Sequence, residues 1–113
     1  NIQNLKNQLD PHKDRIVLFG AGHIGELALN SFKQLGISVN YFCDNNQQKT
    51  GFKFLGIETI TLKKLKEFGN EVNIFIANNN ALSVNSQLKK EGFKNVYSFQ
   101  AAPLKTQHIS LYR

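Results

Sequence analysis

The sequence predicts a three-layer α/β fold, with a parallel sheet of about five strands between two helical layers. Three observations predict it. Short β-rich runs alternate along the chain with stretches of helical period. The runs at residues 15–19 and 72–77 are almost continuously apolar, as strands buried on both faces are. Gly36, Gly69 and Gly92 stand where the helical stripes stop, the place of a left-handed C-cap.

Each element follows in order. Ile2, Leu5 and Leu9 form the stripe of a short leading helix, stopped by Asp10 and Pro11. Residues 1–13 therefore read as a lid or linker. Residues 15–19 are the first strand. Ile24, Leu27, Ala28, Phe32 and Leu35 mark the first crossover helix, which ends at Gly36. Residues 39–43 are the second strand, with Asp44 at its carboxyl end. Residues 44–56 are rich in Asn, Gln and Gly and read as a loop. Residues 57–60 form a short edge strand. Thr61 caps a helix whose Leu62, Leu65 and Phe68 face inward. Residues 72–77 are the fourth strand, and Asn78-Asn79-Asn80 leads into a helix carrying Ala81, Val84 and Leu88. Residues 95–99 are the last strand. Beyond Pro103 the pattern fades, so residues 101–113 read as a tail or a linker to a missing neighbour, leaving residues 14–100 as one domain. Right-handed crossovers with one reversal after the third strand give the order 3-2-1-4-5, with a crevice between strands 1 and 4. The expected core is Ile16, Val17, Leu18, Val39, Phe42, Ile74, Phe75, Ile76 and Val96.

Composition removes several function classes. With 113 residues, 41% hydrophobic and 19% charged, the chain has the balance of one folded domain. No apolar run approaches the ~20 residues of a membrane span, and no signal pattern opens the chain, so the expected setting is soluble and cytoplasmic. One cysteine, Cys43, excludes an intrachain disulfide framework, and with 3 scattered histidines it makes a poor zinc site. The absence of methionine, with Asn1 opening directly into a patterned segment, reads as a piece cut from a larger parent. The net charge of +6 would suit an anionic partner. However, Lys63, Lys64, Lys66, Lys89 and Lys90 fall at the spacing of solvated helix faces, and the arginines are only Arg15 and Arg113. Nucleic acid is accordingly not expected as a partner.

Gly20-Ala21-Gly22-His23-Ile24-Gly25 is a G-x-G-x-x-G that follows a predicted strand and opens a predicted helix. Gly20 permits the tight turn, Gly22 lets the backbone approach a pyrophosphate, and Gly25 lets the helix pack against the sheet. Phosphates would sit on the helix N-terminus. Asp44 follows Gly20 near the ~20-residue offset of the carboxylate that binds a ribose diol. A carboxylate there would also repel the 2′-phosphate of an NADP-type ligand. The same glycines could instead form a ligand-free turn in a scaffold, and Asp44 could be a turn former.

Gly20-Ala21-Gly22-x-x-Gly25, then Tyr41-Phe42-x-Asp44-Asn45, Lys49-x-Gly51 and Gly56-Ile57, resembles the compact Rossmann domain of bacterial polysaccharide and nucleotide-sugar biosynthesis. Similar domains occur in sugar-nucleotide dehydratases and epimerases, sugar acetyltransferases, FkbM-type methyltransferases and Rex-like redox-sensing repressors. The similarity spans about residues 14–100 and is more specific for the fold than for the ligand. It implies a nucleotide in the crevice: NAD(H) first, a nucleotide sugar second, with coenzyme A or S-adenosylmethionine open. The residues it implies are Gly20, Ala21, Gly22, His23, Ile24, Gly25, Asp44, Asn45, Asn78 and Asn79. His23 also reads as a half-exposed helix start, and Asn78-Asn79-Asn80 as an N-cap cluster.

No catalytic set is apparent. None of Tyr41, Tyr97 or Tyr112 has lysine four residues on, as the short-chain Tyr-x-x-x-Lys pair requires. Cys43 sits in an apolar strand, and His12 and His108 are distant in sequence. The expectation is a nucleotide-binding domain, inactive alone, from a sugar- or polysaccharide-modifying enzyme. The alternative is a degenerate Rossmann scaffold attached to a methyltransferase or other transferase. Expected partners are a small nucleotide, the rest of its own polypeptide and, in a homodimer, a second copy of the chain.

Overall fold

The computed structural model describes residues 15–101 and 107–111. The leading helix expected at Ile2, Leu5 and Leu9 lies outside them. The described chain runs β1 (Ile16–Phe19), α1 (His23–Gln34), β2 (Tyr41–Cys43), β3 (Lys53–Phe54), β4 (Ile57–Ile60), α2 (Leu62–Glu67), β5 (Asn73–Ile76), α3 (Ala81–Lys90), β6 (Asn95–Ala101) and β7 (Gln107–Leu111).

These strands form one 7-stranded sheet in the order β3-β4-β2-β1-β5-β6-β7. The five expected strands are β4, β2, β1, β5 and β6, parallel and in the expected order. β1 and β5 are central and buried at every position. In register, Val17 lies beside Tyr41 on one side and Ile74 on the other.

Alternation along the strands divides the core between two faces. Ile16, Leu18, Phe42, Phe75 and Tyr97 meet Ala28, Leu29 and Phe32 of α1. On the opposite face Val17, Phe19, Cys43, Ile74, Ile76 and Val96 meet Leu65 of α2 and Val84 and Leu88 of α3. Two sheet faces covered by helices on opposite sides make the three layers. Phe75 anchors the first face, edge-on to Phe32 at 4.9 Å and stacked on Tyr97 at 4.8 Å. Burying such a ring stabilises the fold by about 1.5–3 kcal/mol. Every expected core residue is buried except Val39, which packs half-buried at the rim.

Three expectations change. Residues 57–60 are not an edge strand, because β3 forms a hairpin outside β4 with Phe54 opposite Ile57. Leu55 and Gly56 make its two-residue turn at φ 52° and 82°, a type I′ pattern in which leucine is a poor signal compared with Asn-Gly. The segment taken as loop chemistry therefore carries a strand. Residues 107–111, assigned to a tail, pair antiparallel with β6, with Phe99 opposite Ile109. The second strand begins at Tyr41, two residues later than expected, because Asn40 turns its side chain to accept from the N–H of Ile16 at 2.8 Å.

Candidate functional site

The chain leaves β1, winds outward through β2 to β4, then returns to β5 on the other side of β1. The loops after β1 and β5 therefore diverge at the carboxyl edge, where α/β sheets bind their ligands. A crevice of about 200 Å³ opens there. Of the expected site residues, all but Gly25 and Asn45 line it, and Lys49 and Ala77 join them.

The three glycines do different work. Gly20 has φ 129°, and a Cβ there would overlap the Ala77 carbonyl at the end of β5. A Cβ on Gly25 would overlap the Gly20 carbonyl oxygen and stand 3.1 Å from the Phe42 ring. Both are demanded by close backbone packing. Gly22 is not. Its backbone is extended at φ −149°, ψ −155°, and a Cβ would meet nothing nearer than Lys49 Nζ at 3.6 Å. The protein's own packing gives no reason for glycine there, and the space beside it belongs to the crevice.

Gly22 is also the N-cap of α1 and supplies no side chain to its first turn. The N–H groups of that turn have no intrahelical acceptors. Two residues of that turn, His23 and Ile24, line the crevice at the positive end of a 12-residue helix. The preceding amides are already used: Gly20 N–H donates to the Cys43 carbonyl at 2.8 Å, and Ala21 N–H to Asp44 Oδ2 at 2.9 Å. Asp44 Oδ1 accepts from Asn46 N–H at 2.8 Å. The carboxylate thus fastens the second strand's end to the glycine turn, with lone pairs remaining for a diol.

Lys49 is the charged residue of the crevice lining that sequence reasoning missed. Its ammonium reaches back 28 positions to donate to the Ala21 carbonyl at 3.0 Å. Nested turns aim it: Gln48 N–H donates to Asn46 Oδ1 at 3.0 Å and Lys49 N–H to the Asn46 carbonyl at 3.0 Å. Lys49-x-Gly51 was the available signal, and only the folded loop shows where the side chain goes.

The remaining expected residues divide. His23 opens α1 and is exposed at the mouth. Asn78 Oδ1 accepts from Asn80 N–H at 2.9 Å, a local turn that shapes the crevice wall. Asn79 is exposed beside it. Asn80 occupies the N-cap of α3, but at φ −111°, ψ 39° its side chain caps nothing. Asn45 stands apart, exchanging amide hydrogen bonds of 3.0 and 3.1 Å with Gln87 of α3. Cys43 is buried, and burial first, then the neighbouring Asp44 carboxylate, pushes its thiol up to about 12. An inert thiol is what its strand position implied.

Fold and crevice together define a Rossmann-type domain, and the comparisons agree. The chain is 34% identical over 104 residues to the redox-sensing transcriptional repressor Rex of Clostridium perfringens strain SM101, covering 85% of this chain and 49% of that protein. It therefore spans about half the length of the curated relatives it matches. No family model matches it. Among solved structures, RSP, a Rex-family repressor, in complex with β-NADH has TM-score 0.57 at 23% identity, covering 94% of this chain and 57% of that one. RSP with β-NAD+ and operator DNA has TM-score 0.58 at 24% identity, covering 92% and 52%. UDP-D-quinovosamine 4-dehydrogenase from Vibrio fischeri has TM-score 0.59 at 17% identity, covering 78% and 79%. These structures speak to the fold.

The relatives correct two expectations. Exclusion of nucleic acid as a partner class does not stand, because RSP, which shares the fold, is solved on operator DNA. The curated relatives it matches include redox-sensing repressors, which favour a repressor over a sugar-modifying enzyme or transferase. Among the described residues, no helix is long and apolar enough to cross a membrane.

Proposed function

We propose that this chain is a dinucleotide-sensing module that binds NAD(H) and serves redox-responsive transcriptional repression. The observation that carries the ligand is the space at Gly22, which the fold does not require and which belongs to the crevice lined also by the start of α1 and Asp44. Gly22 and the first turn of α1 would receive the pyrophosphate, and Asp44 the adenosine ribose diol. His23 and Asn78-Asn79 would border the rest of the ligand. When bound, NAD(H) supplies a redox state to be read: the oxidised and reduced nicotinamides differ in charge and planarity.

The repressor role is supported by the likeness to Rex across 85% of this chain. DNA contact then belongs to the assembled repressor, with this module setting the equilibrium between binding and released states. A sugar-enzyme parent has the motif resemblance behind it, but no Tyr-x-x-x-Lys pair in this chain.

Calorimetric titration with NADH, NAD+, a UDP-sugar, coenzyme A and S-adenosylmethionine tests the ligand. NADH should bind more tightly than ~1 mM, and Gly22→Val should abolish it. If a UDP-sugar binds and NADH does not, the redox reading is wrong. The repressor role is tested by gel shift of the full-length gene product on its own promoter. The complex should respond to the NADH/NAD+ ratio, and indifference to that ratio refutes the role.

A further inference from the structure

We propose that Lys49 is a phosphate latch, an ammonium that releases the Ala21 carbonyl to pair with the pyrophosphate of the bound dinucleotide. The inference rests on reading the crevice as a dinucleotide site.

Placement is the first ground. Lys49 Nζ lies 3.0 Å from the Ala21 carbonyl oxygen and 3.6 Å from the Cβ position at Gly22. It therefore stands beside the one glycine whose freedom the fold leaves unexplained. The loop that carries it is tied to Asp44 through Asn46, so the ribose carboxylate and the ammonium are parts of one folded unit.

Charge is the second ground. Among the described residues the ion pairs are Lys64–Glu67 and Lys66–Glu91, and Lys49 belongs to neither. Asp44 lines the same crevice, yet its oxygens accept from the Ala21 and Asn46 amides. Glu26, the acid in the first turn of α1, forms none of these pairs. An ammonium thus rests on a neutral carbonyl next to the positive end of α1, which carries roughly half an elementary charge. Two positive centres converge on one spot, and among the described residues no carboxylate is ion-paired with the ammonium. A pyrophosphate carries the charge that this arrangement lacks, and exchange of a carbonyl for a phosphoryl oxygen strengthens the hydrogen bond.

Lys49→Met and Lys49→Arg should be compared with the wild-type chain, with folding verified by urea denaturation. The ligands are NADH, ADP-ribose, which keeps the pyrophosphate but lacks nicotinamide, and adenosine, which lacks phosphate. Lys49→Met should weaken NADH and ADP-ribose by about tenfold and flatten the salt dependence of their binding, while adenosine competition is unchanged. Lys49→Arg should stay within about threefold, because charge and donors survive. Should Lys49→Met bind NADH like the wild type while Gly22→Val does not, the dinucleotide site stands and the latch is refuted. Equal losses for adenosine and NADH would also refute it, since the effect would then not run through phosphate. If the wild type binds no dinucleotide, both readings fall.

Discussion

Alanine at Gly25 and alanine at Gly22 should fail in opposite ways, although the two glycines share a motif. At Gly25 the added Cβ overlaps the Gly20 carbonyl oxygen and comes within 3.1 Å of Phe42 Cε1. Neither neighbour can retreat: Gly20 is fixed by its bond to the Cys43 carbonyl, and Phe42 is fully buried. Helix α1 must lift from the sheet, which costs about 3 kcal/mol. For a domain of this size that lowers Tm by roughly 10–20 °C. At Gly22 the extended backbone accepts alanine and the nearest atom is a flexible ammonium at 3.6 Å. Stability should change by less than ~1 kcal/mol, since loss of chain entropy in the unfolded state offsets the poorer cap. Binding should suffer instead. Holding the phosphates off one or two first-turn amides forfeits about 1.5–3 kcal/mol per charge-assisted bond, or at least a tenfold loss. Urea melts followed by circular dichroism read the first quantity, and NADH fluorescence titration reads the second. If Gly22→Ala loses as much stability as Gly25→Ala, or keeps full NADH affinity, the division of labour drawn for this turn is wrong.

Other residues give equally distinct outcomes. Asp44→Ala strands the Ala21 and Asn46 amides, and should cost ~1–2 kcal/mol in urea melts and most of the NADH affinity; Asp44→Asn should narrow the preference for NADH over NADPH. Cys43 keeps its proton in the folded state to about pH 12, whereas the unfolded thiol ionises near 8.5. Its contribution is therefore complete below about pH 8.5 and lost progressively as pH rises toward 12, with a slope of up to ~1.4 kcal/mol per pH unit that Cys43→Ala should remove from alkaline melts. Thiol reagents should label Cys43 only on unfolding. Asn45→Ala should leave NADH binding within about threefold, because its amide is spent on Gln87, and a double-mutant cycle with Gln87→Ala should show coupling below ~1 kcal/mol.

How much the sequence disclosed depended on whether backbone demand or side-chain reach decided a feature. Strands β1 and β5 were legible because burial on both faces forces continuous apolar runs such as Val17-Leu18-Phe19 and Ile74-Phe75-Ile76. Gly20 and Gly25 were legible because no other residue fits where backbones touch. The β3–β4 hairpin was hidden because Leu55 takes a positive φ usually left to Asn, Asp or Gly. The family resemblance carried by Tyr41-Phe42-x-Asp44-Asn45 implies Asn45 in the crevice, but successive residues diverge, and its amide meets Gln87 42 positions away. Lys49 escaped for the converse reason: a long side chain brings together residues that neither helical nor strand period relates.

Dispersed lysines are a poor guide to whether a protein assembly binds nucleic acid. A net charge of +6 with dispersed lysines describes how this domain's own surface meets a polyanion. Two of those lysines, Lys64 and Lys66, are engaged with Glu67 and Glu91, so they add little to such a surface. A ligand-sensing domain needs no basic face to govern DNA. It needs a ligand whose affinity differs between two states of the assembly, and linkage then transfers that difference to the DNA site wherever it lies. A tenfold difference in NADH affinity between states moves operator affinity by the same factor, ~1.4 kcal/mol, without one new phosphate contact. On the proposed reading the informative cation is accordingly not the sum over the surface but Lys49, whose position beside Gly22 would bear on the ligand half of that linkage.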